Sequence, residues 1–120
     1  MAPEIAGLDP AAIERLRALL PAGQDAMLAQ LARTFVENAE QLLAQMATAL
    51  ASSDITMLQR AAHTLKSNAA NFGAGQLEER SRTLEAALRA GDAPDAAGMV
   101  QAIRESWFAV VPAVEALTGG

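Results

Sequence analysis

The residue of this sequence with the clearest chemical potential is His63, the only histidine of the chain. An imidazole has an unperturbed pKa of about 6.5, so at neutral pH it is largely uncharged and can act as a nucleophile. Arg60 precedes it by three residues, Lys66 follows by three and Ser67 by four, which are neighbouring positions on a helix. Nearby cations disfavour imidazolium and would offset the negative charge of an arriving phosphoryl group. The grouping therefore indicates a nucleophilic site that could accept a phosphoryl group.

The segment around His63 has the apolar period of a helix. One stripe contains the apolar residues at intervals of three and four, namely Ile55, Leu58, Ala62, Leu65, Ala69 and Phe72. At about 100° per residue, His63 falls about 130° from the centre of this stripe and should face solvent. The residues expected beside it are Thr56, Arg60, Ser67 and Ala70 on the exposed side, with Gln59 and Lys66 on the flank. Most single exposed histidines are ordinary solvated residues, so helical phase alone leaves an inert histidine possible.

Five helical segments should position this site, at roughly 10–20, 25–51, 55–72, 76–89 and 95–117. Asp9 and Pro10 form a start signal, whereas the breaks fall at 21–23, 52–54, 73–75 and 91–94. Gly73 should cap the third helix, and Pro112 should disturb the hydrogen-bond ladder of the fifth. The short connections imply antiparallel neighbours. The sequence therefore predicts an all-α fold, an antiparallel four-helix bundle with a short additional N-terminal helix.

Composition and charge exclude several functions. The chain has 120 residues, enough for a single domain over 1–120. Its net charge of −5 argues against binding nucleic acid. Because it has no cysteine and one histidine, disulfides, thiolate metal sites and multi-histidine metal sites within the chain are excluded. No signal peptide is visible and no apolar run approaches the roughly 20 residues that span a bilayer, so we expect a cytoplasmic protein without membrane association.

The stretch from Ala62 to Ala74 closely resembles the signature of histidine-containing phosphotransfer (HPt) domains. That signature has an apolar residue two positions after the histidine, a lysine three after and a small residue four after. An apolar residue followed by glycine comes later. The matching residues here are His63, Leu65, Lys66, Ser67, Phe72 and Gly73. Ser67 stands where most members have glycine and Asn68 where serine is common, which leaves a hydroxyl role at position 68 in doubt. The similarity in helix layout extends over nearly the whole chain.

The resemblance implies that His63 accepts the phosphoryl group at Nε2, that Lys66 steadies its oxygens and that Ser67 keeps the approach open. It further implies a monomeric carrier in a bacterial two-component phosphorelay, rather than an enzyme with a nucleotide site. The implied partners are a response regulator receiver domain and a hybrid sensor histidine kinase. No cofactor is expected in this chain, and Mg²⁺ is expected only in the receiver. The expected docking residues are Gln59, Arg60, Ala70 and Gln41, with Glu37 and Asn38 nearby.

Other interpretations remain open from the sequence. A dimerisation domain of a sensor kinase usually follows its histidine with an acidic residue, then arginine and proline, whereas Thr64, Leu65 and Lys66 follow His63 here. An HPt module fused to a larger hybrid kinase would have the same chemistry. A non-catalytic helical interaction module without phosphoryl transfer would also fit the methionine and leucine stripes. A catalytic enzyme finds no support, since the sequence has no P-loop or glycine-rich nucleotide loop.

Overall fold

The computed structural model describes residues 7–20 and 25–118, which form five α-helices. Their bounds are α1 Pro10–Leu19, α2 Asp25–Ser52, α3 Ile55–Asn71, α4 Gly75–Arg89 and α5 Ala96–Ala116. Helix α3 packs against α2 and α4, both of these pack against α5, and α1 rests on α2 and α3. The predicted all-α bundle with a short leading helix is confirmed.

The helix ends differ from the expected ones by at most one residue. Helices α1, α3 and α5 end one residue earlier than expected and α2 ends one residue later, while α4 begins one residue earlier and α5 one residue later. Helix α5 continues through Pro112. The break expected at residues 21–23 lies outside the described residues.

Capping interactions fix where α1 and α3 begin. The Oδ1 atom of Asp9 accepts a hydrogen bond of 3.0 Å from the backbone N–H of Ala11. At the start of α3, Oδ1 of Asp54 accepts one of 3.0 Å from the N–H of Met57. Each carboxylate satisfies a backbone donor that has no partner within its helix, and each complements the positive end of the helix dipole. The start signal predicted at Asp9 is thereby confirmed.

Gly73 closes α3 and also receives the N-terminal segment. Its φ is +67°. Its N–H bonds to the carbonyl of Ala70 at 3.1 Å, while the N–H of Ala74 bonds to that of Ala69 at 2.9 Å, the two bonds of a Schellman motif. The carbonyl of Gly73 in turn accepts a 2.8 Å bond from the N–H of Asp9. The start of α1 is therefore attached to the α3–α4 turn.

Aromatic side chains from α2, from α5 and from the residue that caps the end of α3 meet in the core. The rings of Phe35 and Phe72 stack with centroids 4.7 Å apart, and Trp107 meets Phe35 edge-on at 5.4 Å. The predicted stripe of α3 is buried except at its first residue, Ile55, which is 52% exposed at the turn that begins the helix. On α2, Leu31 recurs at helical spacing with the buried Leu28 and Phe35, so the same periodicity predicts that it is buried, yet it is 41% exposed. Periodicity was wrong at these two positions because it does not show where the neighbouring helix leaves a face uncovered.

Candidate functional site

His63 lies in the middle of α3 with its side chain 56% exposed. Its neighbours in the apolar stripe, Ala62 and Leu65, are fully buried. This opposition confirms the helical phase expected from the sequence. The other predicted site residues are placed as follows: Arg60 and Ser67 are exposed, whereas Gln59, Lys66 and Ala70 are half-buried. Ala70 is thus less exposed than expected.

The imidazole of His63 is hydrogen-bonded to Glu85, a residue that the sequence pattern around His63 does not predict. The Nδ1 atom lies 2.7 Å from Oε2 of Glu85, and the two residues are 22 positions apart on adjacent helices. Glu85 is only 3% exposed. A buried carboxylate is costly unless it is paired and hydrogen-bonded. Further polar partners besides His63 are therefore expected to offset the cost of burying the Glu85 carboxylate.

Two cations complete the environment of Glu85. Nζ of Lys66 donates a hydrogen bond of 2.6 Å to Oε1, and Nη2 of Arg89 donates one of 2.8 Å to Oε2. The pKa of Glu85 is lowered, chiefly by the hydrogen bond from Lys66. Burial opposes this shift, while the hydrogen bond to His63 and the charges of Lys66 and Arg89 add to it. Glu85 is consequently ionised at neutral pH.

This arrangement selects which nitrogen of His63 can react. An ionised carboxylate can only accept hydrogen bonds, so Nδ1 must carry the proton that it shares with Glu85. In the neutral ring the lone pair then resides on Nε2. Among the described residues, Nε2 has no hydrogen-bond partner. The geometry thus presents Nε2 as an available nucleophile on an exposed helix face.

A cleft of about 360 Å³ opens beside the imidazole between α3 and α4. Its lining residues are Gln59, Arg60, His63, Thr64, Glu85 and Arg89. Glu85 is the one carboxylate in this lining, and Arg60 and Arg89 supply positive charge at the rim. Two of the expected docking residues, Gln59 and Arg60, border this cleft. The other two, Gln41 and Ala70, do not, and Gln41 lies exposed on α2.

A signal for Glu85 exists in the sequence. The buried face of α4 consists of Leu77, Ser81, Leu84, Glu85 and Leu88, which recur at helical intervals. An acidic residue inside such a stripe must find a partner on the opposing helix. The pattern could therefore have indicated a buried carboxylate, although not which side chains of α3 it would meet.

The described residues contain no cluster of three or more histidine, cysteine or acidic side chains that could hold a metal ion. Within the same part of the chain, every helix is too short or too polar to cross a membrane.

Comparison with known proteins shows the family of the chain. The model of the Hpt domain family matches residues 30–113, more than half of the chain. The chain belongs to the Hpt domain family. It is therefore a histidine phosphotransfer protein of a phosphorelay, a class of phosphoryl carriers that interacts with receiver domains and kinases. Membership decides against the sensor-kinase dimerisation domain and the plain interaction module.

A solved structure shows the same fold in another Hpt protein. Histidine-containing phosphotransfer protein B (HptB) from Pseudomonas aeruginosa PAO1 superposes with a TM-score of 0.78 at 24% sequence identity. The alignment covers 99% of this chain and 94% of that chain. At this level of identity the likeness supports the shared helical bundle. No curated protein sequence matches the chain significantly.

Proposed function

We propose that His63 is the residue of this Hpt protein that carries the phosphoryl group. The observation that supports this assignment is the 2.7 Å bond between Nδ1 of His63 and the buried carboxylate of Glu85. It fixes the tautomer and the orientation of an otherwise exposed ring. Burying a carboxylate costs free energy. An exposed histidine without a function would not require a buried carboxylate as its hydrogen-bond partner.

The transfer proceeds by attack of the Nε2 lone pair on phosphorus. The donor is the aspartyl phosphate of a receiver domain. Its P–O bond breaks, the electrons leave with the aspartate carboxylate, and a P–N bond forms on His63. The ring, which retains its Nδ1 proton, becomes positively charged, and Glu85 offsets that charge. Because acyl phosphate and phosphohistidine are both high-energy species, the same path runs in reverse toward a second receiver.

Lys66 is proposed to steady the phosphoryl oxygens. An ammonium group has three N–H donors, and one of them is bound to Oε1 of Glu85. Within residues 7–20 and 25–118 no further hydrogen bond of Nζ is present, so its other donors can bind an anion at His63, one turn away on the same helix. Ser67, exposed one turn beyond His63, keeps the path to the ring open, since phosphoryl transfer requires donor and acceptor atoms in line.

The proposed partners are a response regulator receiver domain and a hybrid sensor histidine kinase. Gln59 and Arg60 are proposed docking residues because they border the cleft beside His63, while Ala70 and Gln41 would lie at the edge of the contact. In this scheme the receiver supplies Mg²⁺. The chain is a monomeric cytoplasmic carrier that needs neither a cofactor nor a nucleotide site of its own.

A direct phosphotransfer assay tests the assignment. The protein is incubated with a receiver domain that bears a radioactive aspartyl phosphate, and label on the chain is tested for stability in acid and alkali. We expect acid-labile, alkali-stable label on wild type and none on His63→Gln, with the helical circular dichroism unchanged. Phosphorus–nitrogen couplings in NMR spectra should place the group on Nε2. Label on His63→Gln, or none on wild type with its matching receiver, would contradict the proposal.

A further inference from the structure

The bond between Glu85 and His63 has a consequence for the phosphorylated state. Once Nε2 carries the phosphoryl group, the ring can either keep the Nδ1 proton and remain cationic or lose it and become neutral. The two forms differ in their leaving groups. When the P–N bond breaks in the protonated form, the electrons return to Nε2 and neutral imidazole leaves. In the other form imidazolate, a far more basic anion, must leave.

We propose that Glu85 keeps Nδ1 of phosphorylated His63 protonated, and so holds the group in its transferable form. This inference rests on the proposed role of His63 as phosphoryl carrier. No additional reactant is required, because the phosphoryl group passes to an aspartate oxygen of the receiver while the Nδ1 proton stays in place. In this role Glu85 acts through its hydrogen bond to His63 and not on the phosphoryl group itself, so it is a positioning residue.

The contacts of Glu85 suit it to this task. Its Oε2 atom is 2.7 Å from Nδ1, a distance at which an ionised acceptor favours the protonated ring. Lys66 holds Oε1 and Arg89 also holds Oε2, so the carboxylate is fixed from two sides. Since Glu85 is almost fully buried, water competes little for the bond. The carboxylate therefore stays ionised and stays in place.

The other charged groups around the ring have the opposite influence. Arg60 and Lys66 on α3 and Arg89 on α4 are cations, and each disfavours a positive charge on the imidazole. Among the described residues that line the cleft, no titratable group comes from α1, α2 or α5. Without the charge of Glu85, these cations would promote loss of the Nδ1 proton. Phosphohistidine would then become a long-lived store instead of a relay intermediate.

The pH dependence of phosphohistidine breakdown separates this role from a merely structural one. Wild type and Glu85→Gln are phosphorylated by the receiver domain and repurified, and hydrolysis and back-transfer rates are measured from about pH 5 to about pH 10. Both rates should fall as the pH rises and the Nδ1 proton is lost. For Glu85→Gln we expect this fall at a pH at least about one unit lower than for wild type, because an adjacent opposite charge shifts a pKa by about one to three units. At pH 8 the variant should transfer about tenfold more slowly.

Two matched variants act as controls. Glu79→Gln removes the same charge from an exposed position of α4 and should leave the profile unchanged. Arg89→Gln removes a cation but leaves Glu85 in place, so its profile should not move to lower pH. Superimposable profiles of wild type and Glu85→Gln would overturn the inference and leave the carrier role of His63 intact. Failure of wild type to form phosphohistidine would contradict the carrier role itself.

A measurement on wild type alone keeps the inference testable if Glu85→Gln fails to fold or to accept the group. The chemical shift of Nδ1 in the ¹⁵N-labelled, phosphorylated protein reports directly whether this atom carries a proton. A protonated Nδ1 at pH 8 would support the inference, and a deprotonated one at neutral pH would overturn it.

Discussion

Lys66 donates a hydrogen bond of 2.6 Å from its ammonium group to Oε1 of Glu85, across the interface between α3 and α4. His63 occupies the other oxygen of the same carboxylate. The cation proposed to hold the phosphoryl group is therefore attached to the residue that orients the nucleophile. Substituting any one of His63, Lys66 and Glu85 should therefore change the contribution of the other two to phosphoryl transfer, because the effects of residues in one network are not additive.

Replacing Lys66 by methionine should slow phosphoryl transfer to and from His63 by about tenfold to a hundredfold, because charge-assisted hydrogen bonds contribute about 1.5–3 kcal/mol. Methionine keeps most of the apolar stem, so the packing of this half-buried side chain should change little. Rapid-quench kinetics with a phosphorylated receiver provide the measurement, and Lys66→Arg is the charge-preserving control. Kinetics like those of wild type in Lys66→Met would remove Lys66 from the site.

Replacing Ser67 by leucine should block transfer while leaving the fold intact. Ser67 is exposed one turn beyond His63, and helical side chains lean toward the N-terminus, so a leucine would cover the ring edge. The check is a phosphotransfer assay paired with circular dichroism and a urea titration, with Ser67→Ala as the control that stays small. A loss of helix in Ser67→Leu would mean that position 67 is buried, contrary to its observed exposure.

The sequence predicted the residues of α3 well and those of α4 poorly, for a physical reason. The orientation of His63 relative to Leu65 is a local property of helix pitch, so periodicity determines it. The meeting of His63 with Glu85 depends on the register in which two helices pack, and the residues are 22 positions apart. The same limit applies to Arg89. In the sequence, only the position of Glu85 within the apolar stripe of α4 indicated that a facing helix must supply a polar partner.

The ion pairs of Glu85 should make the stability of the fold depend on pH in the acid range. Its pKa is lowered in the folded state from the ordinary value of 4.5. The stabilisation is therefore present above that ordinary value and is lost as the pH falls through the lower, folded-state pKa. Urea midpoints measured over this range should decline less steeply for Glu85→Gln than for wild type. The exposed Glu79→Gln should behave like wild type, and equal slopes in all three proteins would contradict the expectation.

Gly73 should be the least replaceable glycine of the described turns. A Cβ atom added there would lie 2.7 Å from Cβ of Asp9 and 2.8 Å from Cβ of Ala12, at a φ of +67°. The left-handed backbone costs about 1–2 kcal/mol for alanine, and overpacking adds about 1–3 kcal/mol. Gly91 has nearly the same φ, +69°, but nothing within 4 Å of its added Cβ, so Gly91→Ala isolates the backbone cost.

Urea unfolding of the two glycine variants should therefore show a larger loss for Gly73→Ala than for Gly91→Ala. The difference between the two losses in the free energy of unfolding reports the close packing of the start of α1 on the α3–α4 turn. The 2.8 Å hydrogen bond from the N–H of Asp9 to the carbonyl of Gly73 is part of the same contact. Equal losses would mean that the N-terminal segment yields to the added methyl without strain. A larger loss for Gly73→Ala would show that α1 is part of the cooperative fold that supports the helix of His63.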